Sequence, residues 1–221
     1  MEDIFDKLQA IVGISKYSSS EIPTPKWVVT DMVDMFANED KTIFRPDAKF
    51  LDPAVKSGRF LAEIYSRLMV SPLMVTAFPN EQDRHEHILR NQLFGVATSP
   101  TAATIVRKQL YNDPTIAGNI VYTADKVTKE LIQGAFSIMK FDVVIGNPPY
   151  SEESGGGGRT ARQGTTIYNR FIELGRWDLI PRASFQSKFS RTGHRKEPKA
   201  TSASFHVQMR YSMVLWGRKI F

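Results

Sequence analysis

FDVVIGNPPY, residues 141–150, carries five mostly apolar residues into a glycine, an asparagine, two prolines and a tyrosine. A short apolar run stopped by turn-forming residues has the form of a buried strand of a parallel sheet ending at a stiff turn. That turn holds three kinds of group within four residues. Asn147 offers an amide oxygen, Pro148 a carbonyl on a residue with no N–H of its own, and Tyr150 an aromatic face. Two acceptors and a stacking plate suit a planar amine. An exocyclic amino group would donate one hydrogen to Asn147 and the other to the Pro148 carbonyl, turning its lone pair toward an electrophile. The alternative is a proline-rich loop that closes a buried strand and uses none of these groups.

Working outward, the same kind of strand recurs. KFLDP is a short strand running into a turn, QLFGVAT is a second, and GNIVYTAD is a third. Between them, helical spacing runs through Phe60, Leu61, Ile64, Tyr65 and Leu68, through EQDRHEHILRNQ behind the capping residue Asn80, through TAATIVRKQLY, and over about residues 126–135. Residues 70–80, with Pro72 and Pro79, read as a loop. Upstream, Ile4, Phe5, Leu8, Ile11 and Val12 form a short amphipathic pattern, SSSEIPTP a loop, and Val28 to Phe36 a second helix. The alternation βαβαβαβ predicts an α/β fold with a mostly parallel sheet and helices on both faces.

In such a sheet ligands collect at the strand ends where strand order reverses. LDPAVKSGRF sets Asp52 at the end of the first strand, followed by the small residues Ala54, Ser57 and Gly58 and then a helix N-terminus, which favours negative groups. A carboxylate beside open backbone suits a ligand bearing both an ammonium and a carboxylate, such as an amino acid. A purely architectural strand-to-helix turn is the other reading of this stretch.

The totals set bounds. With 221 residues, 42% hydrophobic and 24% charged, the chain fits one sizeable α/β domain with at most an appendage. The absence of cysteine removes disulfides, thiolate zinc sites and cysteine nucleophiles. No stretch reaches the ~20 apolar residues of a membrane span, and the expected location is cytoplasmic with no membrane partner. The net charge of +6 is uneven: residues 171–221 hold ten Lys/Arg against three Asp/Glu, whereas residues 1–170 hold nineteen against twenty. That basic tail would follow phosphates or stack on single-stranded nucleic acid, or else form a solvated terminus. SGGGGR at 154–159 reads as a mobile loop. Beyond Arg176 no alternation is sustained until Val207–Trp216, and the segment cannot be assigned to the sheet from its pattern. His85 and His87 lie two apart on a polar helix, pointing away from each other toward solvent rather than at a metal.

IPTPKWVVTDMV, LDPAVKSGRF, YTAD and IGNPPY, in this order over about residues 22–175, resemble the motifs of γ-type S-adenosylmethionine-dependent DNA adenine methyltransferases of restriction-modification systems. The DPAVKSG variant, the GGGG stretch and IYNRFIE resemble the branch that carries methylase and nuclease on one chain. The resemblance implies a Rossmann-like methyltransferase fold, with residues 1–175 as the catalytic, cofactor-binding domain. Residues 176–221 would be a basic, atypical segment without a separate target-recognition domain. It implies that Thr24 and Pro25 lie against the methionine end of S-adenosylmethionine, and that Asp52 binds its ammonium, with Ala54 and Gly58 shaping the backbone. Asp125 would receive the amino group of the cofactor's adenine, although a strand-terminal Asp also caps helices. Asn147, Pro148, Pro149 and Tyr150 would be the catalytic set holding an adenine flipped out of DNA. No metal is implied.

This chain departs from the family pattern in three places. Val55-Lys56 stands where many relatives carry Cys-Gly. FGVATS lacks the acidic residue that many methyltransferases use for the ribose hydroxyls, so Thr98, Ser99 or another group takes that place. A fifth strand, a final β-hairpin and a target-recognition domain are not legible after IYNRFIELG, which leaves the sheet open to being incomplete and to completion by a restriction-modification subunit or self-association. Two other readings compete. Methyltransferases of the glutamine side chain in release factors also carry NPPY, but with a Gly-rich first motif and a helical leading domain. A non-catalytic remnant that binds nucleic acid or a partner is the third.

Overall fold

Four short runs, FLDPAV, LFGVA, IVY and VVIG, form strands β1 (Phe50–Val55), β2 (Leu93–Ala97), β3 (Ile120–Tyr122) and β4 (Val143–Gly146). The computed structural model of the chain describes residues 24–138, 140–147, 185–189 and 213–217. The early helical pattern at residues 4–12, the SGGGGR loop, and Pro148, Pro149 and Tyr150 lie outside these described residues. β1 pairs in parallel with β2 on one side and β4 on the other, and β3 pairs in parallel with β2. The chain therefore builds outward from β1 to β3 and then returns to the far side of β1 for β4. That return makes the β1–β4 boundary the point where strand order reverses.

Every residue of β1, β2 and β4 is buried, as expected of strands covered on both faces. A period of two still runs beneath the continuous apolar composition. Phe50, Leu93, Val143 and Ile145 join one core cluster, whereas Leu51, Phe94, Val96 and Val144 join the other. The first face is covered by helices α1 (Lys26–Glu39), α2 (Arg59–Val70), α4 (Glu81–Asn91) and part of α5 (Pro100–Tyr111), with Phe36, Phe44 and Phe50 meeting at ring-centroid distances of 6.0 to 6.5 Å. The second face is covered by α6 (Lys129–Phe136), whose Ile132 and Phe136 reach Phe94 and Phe141. Helices on both faces bear out the α/β, Rossmann-like expectation.

Local chemistry explains where the elements begin. Asn80 caps α4 by accepting the Gln82 and Asp83 N–H groups. Ser99 caps α5 through the Ala102 N–H, and Thr128 caps α6 through the Leu131 N–H. The stretch 70–80 is not wholly a loop: α3 (Pro72–Ala77) opens on Pro72, because proline fits the first helical position, where no N–H is needed. The third strand is also shorter than GNIVYTAD, since Gly118 adopts a positive φ and the pairing ends at Tyr122.

Two strands from the basic C-terminal segment extend the sheet. β6 (Met213–Gly217) runs antiparallel to β4, and β5 (Phe185–Phe189) runs antiparallel to β6, giving the order β3-β2-β1-β4-β6-β5. The segment that the sequence pattern could not assign thus contributes two strands, β6 directly beside β4 and β5 at the edge, with no fifth parallel strand between β4 and β6 among the described residues. No helix among the described residues is long and apolar enough to cross a membrane.

A polar staple closes the N-terminal ends of β1 and β4. The buried Asp142 carboxylate pairs with the Arg45 guanidinium and accepts the Lys49 N–H at 2.9 Å. Gln92, fully buried, donates to the Arg45 and Ala48 carbonyls at 2.8 and 3.0 Å. Removing one partner of a buried pair strands the other charge. Asp142→Ala is therefore expected to lower the urea-unfolding free energy by ~3 kcal/mol; a loss below about 1 kcal/mol would show that the staple contributes little.

Candidate active site

At the opposite end of the same two strands, the chain turns sharply twice. β1 pairs Asp52 with Gly95 but Val55 with Ala97, so two residues of β1, Pro53 and Ala54, lie opposite one of β2, Val96. The bulge reverses the alternation: Ala54 joins the face of Leu51, and Val55 joins that of Phe50. Pro53 within it lacks a ladder donor, and bulges of this kind re-aim side chains beside functional sites. The Asp52 carboxylate is thereby brought to the sheet's end while staying 2% exposed.

The carboxylate of Asp52 is anchored by a backbone donor. Oδ1 accepts the Ala54 N–H at 3.0 Å. Burial pushes the carboxyl up to about 7, against the opposing effects of that N–H and of the Lys56 charge. Across the strand boundary Oδ1 sits against β4 so closely that a Cβ on Gly146 would lie 2.7 Å from it. Only glycine leaves room there. The residue before the Asn-Pro-Pro turn therefore has a steric duty that the sequence reading missed, although its place directly before Asn147 was the signal.

After β1 the chain passes through Lys56 and Ser57 to Gly58, which precedes α2 with φ +74°. That left-handed backbone favours glycine, and an added Cβ would also meet Val106 at 3.0 Å and Gln109 at 3.2 Å. The first turn of α2 then faces the strand ends. Arg59 reaches back from that turn and donates to the Thr24 carbonyl at 3.1 Å, tying the segment before α1 over the site. Asn147, just past β4, donates from Nδ2 to Thr24 Oγ1 at 3.3 Å.

These residues surround a small open depression lined by Thr24, Asp52, Ala54, Lys56, Ser57, Gly58, Arg59, Phe60 and Asn147. Five of the residues singled out from sequence, Thr24, Asp52, Ala54, Gly58 and Asn147, thus share one cavity. Ser57, read from the sequence among the small residues beside Asp52, lines it too, whereas Lys56, Arg59 and Phe60 were not singled out for it. They flank Gly58 within the same DPAVKSGRF stretch, and their proximity follows from the bulge and the turn. Pro25 adjoins the cavity as the residue preceding α1, outside its lining.

Asp125 is not brought to this cavity. It lies three residues beyond β3, exposed, with its N–H on Thr123 Oγ1, and Thr128 rather than Asp125 caps α6. Thr98 and Ser99 are engaged in local structure, Thr98 Oγ1 donating to the Val55 carbonyl at 3.3 Å and Ser99 Oγ accepting the Ala102 N–H at 3.1 Å. His85 and His87 are half-buried rather than simply solvated. His85 Nδ1 bonds the Tyr65 hydroxyl at 2.8 Å, while His87 Nε2 lies 2.8 Å from the Pro46 carbonyl and its ring stacks on Phe78. No cluster of three or more His, Cys, Asp or Glu suited to a metal occurs among the described residues.

Two variants test this geometry. Because Asp52 in the folded chain keeps a proton that the unfolded chain loses above pH ~4, stability falls as pH rises from ~4 to ~7 and then levels off. Asp52→Asn removes this contribution. Its advantage over the wild type in urea unfolding should grow from near zero at pH ~4 to several kcal/mol, at most ~4, at pH ~8; an advantage that does not vary with pH contradicts a desolvated carboxyl. Gly146→Ala should cost ~2 kcal/mol by overpacking. Adding Asp52→Ala should recover part of that loss in a double-mutant cycle, whereas strict additivity would mean that the two residues do not touch.

Comparison with known proteins bears on the same region. Residues 91–187 match the family model described as Eco57I restriction-modification methylase. A Mycoplasma pneumoniae protein described as an uncharacterized adenine-specific methylase is 26% identical over 234 residues, covering 76% of this chain and 54% of its own length. The chain thus spans about half the length of that curated relative. Among solved structures, a Vibrio vulnificus YJ016 chain described as a modification subunit of a type I restriction enzyme aligns with a TM-score of 0.47 at 18% identity, over 78% of this chain and 32% of that one. By these sequence matches the chain is similar to restriction-modification and adenine-specific methylases.

Proposed function

We propose that the chain is the catalytic part of a DNA adenine methyltransferase of the restriction-modification type, with S-adenosylmethionine as methyl donor. The observation that carries this reading is the shared cavity of Asp52 and Asn147 at the point where strand order reverses. The match to a restriction-modification methylase family and the adenine-specific methylase relative support it. Neither competing reading is favoured by a specific observation.

The residues present fit such a donor. A carboxylate that burial holds near neutrality waits for a cation, because an ammonium at hydrogen-bonding distance would return it to the charged form. Beside it, Lys56, Arg59 and the first turn of α2 supply positive potential for a carboxylate. Gly58 and Ala54 keep the wall low enough for a ligand to approach the backbone. When bound, the donor supplies an electrophilic methyl group on a sulfonium.

The chain's own residues would do the rest by position and by electrostatics. Asn147 Oδ1 and the Pro148 carbonyl would accept the two hydrogens of the target amine, drawing its lone pair toward the methyl group. They would also stabilise the positive charge that develops on the nitrogen as the new C–N bond forms and the methyl–sulfur bond breaks to leave a neutral thioether, after which the nitrogen gives up one proton to water. Tyr150 would stack on the extruded base and partly offset the few kcal/mol lost on unstacking it. The basic C-terminal segment would follow the phosphates, and a restriction-modification subunit or a second copy of the chain would be its protein partner.

Calorimetric titration with S-adenosylmethionine, followed by transfer of a radiolabelled methyl group to adenine-containing DNA and to protein, tests the proposal. Label is expected on adenine. Asn147→Ala should lower kcat by about 10²- to 10³-fold with cofactor affinity within a few-fold of the wild type. Label on a protein glutamine, or undiminished transfer by Asn147→Ala, would contradict it.

A further inference from the structure

Ser57 is a polar residue with almost no surface, 4% exposed, in the turn between β1 and α2. Its hydroxyl has no hydrogen-bond partner among the described residues, yet its oxygen is not sealed off. The little access it keeps opens on the depression that Ser57 lines together with Asp52, Gly58 and Phe60. A buried hydroxyl without a partner gives up the hydrogen bonds of water and gains none in return. A ligand on the open side of that wall would remove the cost.

The helix that follows makes the same demand. α2 runs for 12 residues and opens on Gly58, which has no side chain to cap it, and its first turn holds no acidic residue. The first bond within the helix runs from the Ala62 N–H to the Gly58 carbonyl, so the N–H groups of Phe60 and Leu61 find no partner inside it. Backbone donors, the positive end of the helix dipole and a neighbouring hydroxyl together favour an anion. Asp52, on the other side of the same depression, favours a cation. In the head group of an amino acid the ammonium and the carboxylate sit on one carbon atom. A ligand whose ammonium reaches Asp52 therefore carries its carboxylate to the adjoining wall.

We infer that Ser57 is a specificity-determining residue: its hydroxyl, with the N–H groups at the start of α2, donates to the carboxylate of the methyl donor, so that the cavity takes a head group bearing an ammonium and a carboxylate together. This rests on the methyltransferase reading and deepens it, because Asp52 by itself would accept an amine of any kind. The assignment does not draw on Lys56 or Arg59, the latter already donating to the Thr24 carbonyl.

The test removes one atom from the protein and one group from the ligand. Calorimetric Kd values are measured for the full chain and for Ser57→Ala, with S-adenosylmethionine and with its decarboxylated analogue, which keeps the ammonium and the sulfonium. Ser57→Ala should weaken S-adenosylmethionine by about 10- to 100-fold and the analogue by less than about threefold. The wild type should prefer S-adenosylmethionine over the analogue by about 10-fold or more, a comparison that stands even where Ser57→Ala does not fold. Unchanged affinity of Ser57→Ala for S-adenosylmethionine overturns the carboxylate assignment alone. Equal losses for the two ligands do the same, and mean that the hydroxyl only shapes the turn. Equal Kd values of the wild type for both ligands also overturn it. A wild type that binds neither ligand removes the methyl-donor reading, and this inference with it.

Discussion

A carboxylate that burial has almost stripped of solvent sits at the junction of two parallel strands, with one backbone N–H on Oδ1 and a glycine beside it. The rest of the structure is arranged around that constraint. Leaving Asp52 there is costly without a cationic partner, which is why burial raises it to about 7. The cost is tolerable because the cluster around Phe36, Phe44 and Phe50 and the Asp142 staple hold β1 and β4 from their other ends. Strain and desolvation are confined to the ends where a ligand can relieve them.

Each neighbouring feature follows from getting Asp52 to that place. The bulge after it turns the carboxylate to the sheet's end and flips Ala54 and Val55. Gly146 yields the space into which the carboxylate presses. Gly58 takes the left-handed turn that sends α2 back along the sheet, and that turn brings Arg59 within reach of Thr24. Thr24 in turn meets Asn147, so the elements that wall the cofactor cavity also hold the group proposed to accept the target amine.

Much of this was legible in the sequence because the strands are brief apolar runs bounded by Gly, Pro and Asp, and because capping residues mark the helices. Asp52, Ala54, Gly58 and Asn147 stand out in the sequence by the turn-and-acceptor pattern and Thr24 only by the family resemblance; the structure gathers all five around one depression. What failed depended on contacts distant in sequence. Gly146 matters only because Asp52 lies across from it, and Lys56 and Arg59 line the cavity only because the bulge aims them there. Pro72 reads as a breaker in a string of letters but starts α3. FQSKF carries too few apolar residues to announce β5, and β6 finds its place only through pairing with β4. His85 and His87 read as surface residues because their partners, Tyr65 and Phe78, come from other elements.

The account stands most directly on Asp52 being neutral when the cavity is empty and charged when a cation fills it. Titration calorimetry with S-adenosylmethionine near pH 6, repeated in buffers of different ionisation enthalpy, reads that change as protons released. The wild type should release about one proton on binding and Asp52→Asn close to none. Tight binding by the wild type with no proton released would contradict the account.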